Sequence, residues 1–376
     1  MNAECGMQNA ECRMVKQYAP RALAVLLSAF CILHSAFASD FRLALPNYEF
    51  SFPRDHGSHP EFKTEWWYFT GHLRTVSGKR YGFEVTFFRV GITPPSPKAT
   101  RWDLQEVMPA HFAVTDLGAK KFRYYEKLNR ASPFTAGAAE GRLDVFNEGW
   151  RLAQTSDGGW RLIAAESADA IDLTLRSRKP PAIHGQDGIS IKAMGEGFAS
   201  HYYSMTRLEA AGTINGERAT GQAWMDHEFG SSALRENQQG WDWFSIQLDN
   251  DSEVMLYIIR KTDGTPDVTS SGSLITSDGR VIHVKREQMR ITPLAQWTSK
   301  ASGATYPMGW KVELPRFGVT LTVQPLMREQ ELMTQGSTQV TYWEGAVDVT
   351  GSFAGVAVRG EGYVEMTGYE KAFRAP

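Results

Sequence analysis

The chain has 376 residues, which is long for one barrel or sandwich and comfortable for two domains. Its formal net charge of −2 is nearly neutral, so the composition gives no reason to expect a nucleic-acid or anionic-membrane partner. Aromatic residues make up 12% of the sequence and include 11 tryptophans, which predicts well-filled cores or aromatic-lined cavities. No P-loop or dinucleotide fingerprint occurs, and no cofactor is expected.

Residues 1–38 have the pattern of a secretory signal peptide. Basic residues precede an apolar run that ends in Ala36-Phe-Ala38, so cleavage is expected after Ala38. The alternative is an uncleaved membrane anchor, but the run is short and contains His34. All three cysteines precede the cleavage site, namely Cys5, Cys12 and Cys31. We therefore expect a periplasmic or secreted chain with no disulfide, no cysteine nucleophile and no transmembrane segment after cleavage.

Beyond the signal peptide, apolar and polar residues alternate with a period of two, which is typical of half-buried β-strands. The predicted strands and hairpins follow in the order 81–87, 107–116, 150–163, 171–176, 202–229, 274–284 and 310–323. No stretch keeps the apolar spacing of about 3.6 residues that marks a long helix. Two closed antiparallel barrels, which have no exposed edge strands, are the favoured architecture, and two sandwiches are the alternative.

An internal repeat divides the sequence into two units. Residues 203–230 align without a gap on residues 342–369, and a second match links Trp66-Trp-Tyr-Phe69 to Trp241-Asp-Trp-Phe244. Such self-similarity indicates one structural unit that is used twice. The predicted division is a signal peptide over 1–38, a first barrel over 39–230 and a second barrel over 231–376.

Three motifs, taken in order, support a family resemblance: Trp66-Trp-Tyr-Phe69, Ala223-Trp-Met-Asp-His-Glu-Phe-Gly230 and Thr341-Tyr-Trp-Glu-Gly345. On these motifs the chain resembles the AttH-type and carotenoid 1,2-hydratase (hydroxyneurosporene synthase) family of secreted lipocalin-like proteins over most of residues 50–370. The resemblance implies an all-β fold of two consecutive lipocalin-like (calycin) antiparallel β-barrels. It leaves the activity open, because one branch hydrates isoprenoid double bonds while other members are predicted secreted hydrolases or companions of ABC transporters.

Hydration of an unactivated alkene requires protonation to a carbocation and then capture by water. A carboxylic acid whose pKa is raised by apolar surroundings can supply the proton, and aromatic faces stabilise the cation. Trp224 and Asp226 offer both on one face of a strand, because they lie two residues apart. The resemblance implies that Asp226 is the proton donor and that His201 positions the water. It also implies that Tyr203 and Trp224 line the cation pocket.

A structural role for Asp226 is the competing interpretation. The repeat places Glu365 on Asp226, and a feature shared by both units is typical of a fold device, such as an acid bonded to backbone donors or to an arginine. His227 and Glu228 have no such counterparts in the second unit, which makes them the better functional clue. Glu228 shares the face of Asp226 and is a reserve acid, whereas His227 points the other way.

Aromatic residues of the motifs are the candidate ligand contacts: Tyr202, Tyr203, Trp224, Trp241, Trp243 and Trp67. The alternative for the tryptophans is to plug the ends of the barrels, since small barrels fill their interiors with side chains. His56, His59 and Glu61 have a spacing compatible with a metal site. No metal is expected, however, because loop histidines are usually solvated and zinc requires more ligands.

The favoured function is binding of an apolar lipid or isoprenoid by an exported protein that serves an ABC transporter, either inside a barrel or in the seam between the barrels. The first alternative is a carotenoid 1,2-hydratase-like lyase that uses Asp226. A secreted hydrolase is the second, although no G-x-S-x-G elbow nominates its serine, and a ligand-free structural protein is the third. Burial of Asp226 in an apolar cavity would favour catalysis, and a salt bridge to an arginine would favour the structural role.

Overall fold

The computed structural model describes residues 41–374 except Arg101 and Asp187. The predicted signal peptide, its cleavage site and the three cysteines lie outside the described residues. In the part that is described, no helix is long and apolar enough to cross a membrane.

The described chain is all-β, as predicted, and its helical content is limited to single 3₁₀ turns at Arg54–His56, Arg286–Gln288 and Pro315–Phe317. The strands up to the middle of the chain are β1 (Thr64–Thr75), β2 (Arg80–Gly91), β3 (Glu106–Asp116), β4 (Lys121–Arg130), β5 (Ala136–Ala138), β6 (Asp144–Asn147), β7 (Trp150–Gln154), β8 (Trp160–Glu166), β9 (Asp169–Ser177), β10 (Ala182–Ile183), β11 (Ser190–Ile191), β12 (Ala199–Ile214) and β13 (Glu217–Gly230). Those that follow are β14 (Gln238–Leu248), β15 (Glu253–Lys261), β16 (Ser271–Ile275), β17 (Val281–Lys285), β18 (Arg290–Thr298), β19 (Thr305–Leu314), β20 (Val319–Pro325), β21 (Glu331–Thr334), β22 (Val340–Phe353) and β23 (Val356–Thr367). Every predicted strand and hairpin is present.

The strands form two antiparallel sheets. The first has the order β4-β3-β2-β1-β13-β12-β9-β8-β7-β6-β5, and β10 and β11 also pair with β12. The second has the order β17-β16-β15-β14-β23-β22-β20-β19-β18, with β21 on β22. The two ends of the first sheet meet through side chains, since Asn147 on β6 donates to the Met108 carbonyl at 2.6 Å and accepts from Asn129 at 2.8 Å. The first sheet therefore curls into a barrel, which we call barrel 1, and the second sheet forms barrel 2.

Each barrel interior is packed with apolar side chains. The alternation along β2 shows how the sequence achieves this, because Tyr81, Phe83 and Val85 face the core of barrel 1. Trp67 and Trp150 fill the same core, and the core of barrel 2 is built in the same way around Phe244, Trp310 and Trp343. The interiors are thus filled by the protein itself.

A third apolar cluster joins the outer faces of the two barrels. It contains Tyr68, Tyr202 and Trp224 from barrel 1, together with Trp243, Tyr257 and Tyr363 from barrel 2. We call this interface the seam. The barrels approach so closely here that a Cβ atom on Gly82 would lie 2.4 Å from the Tyr363 hydroxyl, so only glycine fits at that position.

The sheet register corrects one detail of the predicted repeat. Ser204 pairs with Asp226, and Glu344 pairs with Glu365, but a bulge between Met205 and Leu208 inserts one extra residue in β12. One extra residue moves all preceding side chains to the opposite face of the sheet. On the N-terminal side of the bulge, the counterpart of Tyr342 is therefore Tyr202. Tyr202 lies two residues before Ser204, which pairs with Asp226, and Tyr342 lies two residues before Glu344, which pairs with Glu365. The gapless alignment holds only after the bulge.

Candidate active site

A cavity of about 230 Å³ lies in the seam between the barrels. Aromatic rings form much of its wall, including those of Tyr68, Tyr202, Trp241, Trp243, Tyr257 and Tyr342. Carboxyl groups share this apolar space, namely those of Asp226, Glu228, Glu344 and Glu365, and Glu65 and Arg89 also border it. Ligand pockets for drug-sized molecules usually hold about 300–1,000 Å³, so this cavity suits a small molecule or one end of a longer chain.

Asp226 occupies the barrel 1 side of the cavity and is only 4% exposed. Its Oδ2 accepts a hydrogen bond from the Tyr202 hydroxyl at 2.5 Å, and its Oδ1 accepts from Trp224 Nε1 at 2.6 Å and from the Ser204 hydroxyl. Burial raises the pKa of Asp226 to about 7, although the three donors oppose this shift by stabilising the charged form. Both protonation states of Asp226 are therefore populated at neutral pH, and none of these three donors is an arginine.

A histidine that was not among the predicted site residues lies behind Asp226. His184 Nε2 is hydrogen-bonded to the Ser204 hydroxyl at 2.6 Å, and its Nδ1 is hydrogen-bonded to Ser273 of barrel 2 at 2.9 Å. Burial lowers the pKa of His184 to about 3, so the ring is neutral. His184 fixes the orientation of the serine that binds Asp226. It follows the two-residue strand β10 in a loop, where no motif marks it.

Glu228 differs from Asp226 because it has a counter-charge. Its Oε1 accepts from Lys192 Nζ at 2.9 Å and from the Ser200 hydroxyl. Burial opposes the charge on Lys192, but Glu228 outweighs it, and the pKa of Lys192 is raised. The ammonium also lies 4.4 Å from the centre of the Tyr257 ring. Glu228 is thus an ion-paired wall group of the cavity.

The barrel 2 side of the cavity carries acids as well. Glu344 Oε1 accepts from the Tyr68 hydroxyl at 2.7 Å, and Glu365 Oε2 accepts from Trp241 Nε1 at 3.0 Å. Burial, followed by the charges of Glu365 and Glu84, raises the pKa of Glu344 well above its ordinary value. Burial likewise raises the pKa of Glu365 to about 7 and that of Glu84 to about 8. No role for Glu344 follows from the sequence alone.

The predicted residues divide between this cavity and other places. Asp226, Glu228, Tyr202, Trp241 and Trp243 line the cavity, and Trp224 lies against Asp226 in the seam. The predicted grouping of His201 and Tyr203 with Asp226 is not found, because these two residues lie on the opposite face of β12. His201 instead bonds to the Gly188 carbonyl at 2.8 Å and stacks on Tyr48 at 4.1 Å. Burial lowers its pKa to about 4.

Trp67, Tyr203 and His227 lie at one end of barrel 1, away from the seam. The Trp67 ring stacks on His227 at 4.8 Å, and its Nε1 donates to the His56 carbonyl at 3.0 Å. The Tyr203 hydroxyl is hydrogen-bonded to His227 Nδ1 at 3.0 Å and to His56 Nδ1 at 2.7 Å. Trp67 is therefore a barrel plug in this structure, as the alternative interpretation of the tryptophans expected.

Glu65 is the centre of a buried group of charges at that end, which we call the ion cluster (Glu65, Arg89, His59 and His227). Glu65 Oε1 lies 2.8 Å from His59 Nδ1 and 2.8 Å from His227 Nε2, and Oε2 accepts from Arg89 Nε at 2.9 Å. Burial would raise the pKa of Glu65, but His59, His227 and Arg89 outweigh it and hold the pKa well below its ordinary value.

The ion cluster also contains one of the histidines whose spacing in the sequence is compatible with a metal site. His59, Glu65 and His227 bring possible metal-ligand atoms within 4.8 Å of one another, so this trio shares only His59 with the spacing of His56, His59 and Glu61 noted in the sequence. In this structure the same atoms are hydrogen-bonded to each other, and Arg89 neutralises Glu65. This donor set is satisfied by protein groups, and we assign it a role in closing the barrel end.

The chain resembles proteins of the AttH-like family in both sequence and fold. A model of the AttH-like family matches residues 43–369. The crystal structure of a putative AttH from Nitrosomonas europaea is 32% identical with a TM-score of 0.77, and the match covers 87% of this chain and 99% of that chain. The crystal structure of kievitone hydratase from Nectria haematococca shares the fold at 16% identity, with a TM-score of 0.66 over 89% of this chain and 97% of that chain.

Two enzymes of named activity are related in sequence. The kievitone hydratase of Fusarium solani subsp. phaseoli is 26% identical over 152 residues, which are 38% of this chain and 39% of that enzyme. The matched part of this chain thus spans about two fifths of the length of that hydratase. The dehydratase asqC of Emericella nidulans is 20% identical over 269 residues, which are 68% of this chain and 75% of that enzyme.

Proposed function

Because this chain belongs to the AttH-like family, we propose that it is a hydro-lyase, which adds or removes water at a carbon–carbon double bond of an apolar substrate. The observation that carries the proposal is Asp226, a carboxyl group with a pKa of about 7 in an aromatic-walled cavity. A general acid or base works best when its pKa lies near the working pH, because both forms are then available. The hydratase and dehydratase relatives support the same class of reaction.

The surroundings of Asp226 suit a reaction that passes through a carbocation. Tyr202 and Trp243 line the cavity beside it, and Trp224 packs against them. The negative faces of such rings attract a developing positive charge, and a cavity that excludes bulk water strengthens that attraction. Trp243 Nε1 donates to the Tyr202 hydroxyl at 3.0 Å, so the ring positions are fixed before substrate arrives.

The cavity size bears on the substrate. At about 230 Å³ the cavity suits a unit of roughly one to two isoprene groups, or the end of a longer isoprenoid that extends out of the seam. Its apolar walls favour hydrocarbon, and its carboxyl groups can bind a hydroxyl group or a water molecule. We propose an apolar alcohol or alkene as the substrate class.

Binding without turnover is the second candidate, and the aromatic wall of the cavity favours it as well. In that case the carboxyl groups would orient the hydroxyl group of an apolar ligand in the seam. The barrel interiors are packed, so we propose the seam, and neither barrel, as the place of such a ligand. Export of the protein and service to a transporter remain predictions from the sequence.

Isotope exchange separates the two candidates. The purified protein is incubated in ¹⁸O-labelled water with α-terpineol, a tertiary alcohol of suitable size, and separately with lycopene. A hydro-lyase exchanges the hydroxyl oxygen of α-terpineol or forms a labelled tertiary alcohol from lycopene, as detected by mass spectrometry. The substitution Asp226→Asn abolishes the labelling with the fold intact by circular dichroism. Binding of both probes, seen by quenching of tryptophan fluorescence, with no label in either product would reject the hydro-lyase and support a binding protein.

A further inference from the structure

Glu344 stands directly across the seam from the strand that carries Asp226. It lies on β22, where it pairs with Glu365, and its Oε1 accepts from the hydroxyl of Tyr68 on β1 at 2.7 Å. Tyr68 is in turn the cross-strand neighbour of Asp226. Glu344 and Asp226 therefore line one cavity from opposite barrels, with the ring of Tyr68 between their strands.

The two carboxyl groups differ in how their oxygens are used. Both oxygens of Asp226 accept hydrogen bonds from protein donors, namely Tyr202, Ser204 and Trp224. Glu344 is only 1% exposed, and its Oε2 has no hydrogen-bond partner among the described residues. Leaving a buried polar atom unpaired is energetically costly, so such an atom calls for an explanation. A substrate hydroxyl group in the cavity would supply the missing partner.

Burial keeps Glu344 neutral, and the acids that face it reinforce this effect on its pKa. Glu365 on β23 and Glu84 on β2 contribute most, and Asp226 across the seam adds a smaller effect in the same direction. The hydroxyls of Tyr68, Tyr342 and Tyr363 also face it, and burial raises their own pKa values. A neutral carboxylic acid carries one proton to donate, and on Oε2 that proton has no acceptor among the described residues.

We propose that Glu344 is the second catalytic residue of the seam cavity and protonates the departing hydroxyl group of an apolar alcohol while Asp226 removes a proton from the adjacent carbon. This assignment rests on the proposed hydro-lyase function, and it deepens it by giving each half of the reaction its own carboxyl group.

The atoms of this step balance without any further reactant. The Glu344 carboxyl transfers its proton to the hydroxyl oxygen, and the C–O bond breaks to release water. The Asp226 carboxylate takes a proton from the neighbouring carbon, and the electron pair of that C–H bond becomes the double bond. Glu344 is then left as a carboxylate and Asp226 as a carboxylic acid, and after the product leaves Asp226 releases its proton to water and Glu344 takes one up from water. Hydration is the same step in reverse.

A change of leaving group tests this division of labour. Acetate leaves without a proton donor far more readily than hydroxide, so elimination from α-terpinyl acetate has little need of Glu344. We expect Glu344→Gln to lower kcat for elimination from α-terpineol by at least about 100-fold and for elimination from the acetate by less than about tenfold. The glutamine retains an oxygen that accepts from Tyr68, so the fold is preserved.

Two further variants serve as controls. Glu331→Gln replaces another acid of barrel 2 that accepts from a tyrosine hydroxyl, that of Tyr306 at 2.9 Å, but Glu331 is not part of the cavity wall, and kcat for both substrates should stay near the wild-type values. Asp226→Asn should impair both substrates, because both reactions break the same C–H bond.

The leaving-group experiment can reject the role of Glu344 and the hydro-lyase function separately. If Glu344→Gln lowers kcat equally for α-terpineol and its acetate, or leaves both unchanged, the role of Glu344 as proton donor is rejected while the hydro-lyase stands. If the wild-type protein eliminates neither leaving group, the proposed function itself is rejected, and the assignment of Glu344 falls with it.

Discussion

The seam cavity and the ion cluster lie on opposite faces of the same strand, and their acids behave in opposite ways. Asp226 and His227 are adjacent on β13, yet Asp226 faces the seam and His227 faces Glu65 inside barrel 1. Asp226 and Glu65 are both buried. The pKa of Glu65 lies well below its ordinary value, whereas that of Asp226 is raised to about 7.

The contrast between these two buried acids shows that counter-charge, and not burial, sets the protonation state of each at neutral pH. Arg89 and two histidines stabilise the charged form of Glu65, so that acid holds the barrel together and has no proton to exchange near neutral pH. Asp226 receives only neutral donors, and burial therefore leaves it able to take up and release a proton.

Removal of the counter-charge from the ion cluster should have the largest effect. Arg89→Met leaves Glu65 charged and buried, and we expect the free energy of unfolding to fall by about 3–5 kcal/mol. Urea denaturation measures the change. The matched control is Arg280→Met, which breaks an exposed pair with Asp278 and should leave the midpoint nearly unchanged. Equal losses in the two variants would contradict a special role for the ion cluster.

Removal of the proton carrier from the cavity should affect activity in preference to stability. Asp226→Asn should lower kcat for ¹⁸O exchange into α-terpineol by about 10²–10⁴-fold, because an amide cannot transfer the proton. His201→Asn, on the opposite face of β12, should lower kcat by less than about tenfold. A larger loss for His201→Asn than for Asp226→Asn would show that the resemblance, and not the seam geometry, identifies the reacting groups.

The cavity itself also contains an acid with a counter-charge, because Glu228 pairs with Lys192. Lys192→Met removes the counter-charge of Glu228 and leaves this buried acid, like Asp226, without a cationic partner. We expect a loss of about 1–3 kcal/mol in the free energy of unfolding at neutral pH, since the pair is only partly exposed. Lys192→Arg, which retains the charge, is the control and should lose less. An unchanged unfolding curve for Lys192→Met would mean that solvent already screens Glu228.

The pH dependence of stability should also distinguish the two acids. Between pH 3.8 and about 7 the folded protein keeps the proton of Asp226 that the unfolded chain releases, so Asp226 lowers stability as pH rises across this window. The slope of the difference between wild type and Asp226→Asn should approach about 1.4 kcal/mol per pH unit. Glu65 acts in the opposite direction, because its depressed pKa gives stability that is lost as pH falls through acidic values. A flat difference curve would exclude the raised pKa of Asp226.

Several features of the site could be predicted from the sequence because they depend on neighbours along one strand. The two-residue period placed Asp226 and Glu228 on one face and His227 on the other, and the structure has them so. The grouping of His201 with Asp226 came from the family resemblance, and the structure does not show it, because Ser204 pairs with Asp226 and His201 lies on the opposite face of β12. Lys192, His184 and Glu344 escaped selection, because their partners lie far away in sequence or in the other barrel.

The all-β class, the repeated unit and the similarity to AttH-like proteins could all be read from the amino-acid sequence. Those properties follow from local alternation, turns and short motifs, which each segment carries alone. The filled barrels and the cavity between them became visible only in the folded chain. Alternation gives every strand two faces, but it does not say which outer face is buried when the two barrels dock. That choice depends on contacts between residues more than a hundred positions apart in the chain, such as Tyr68 with Glu344.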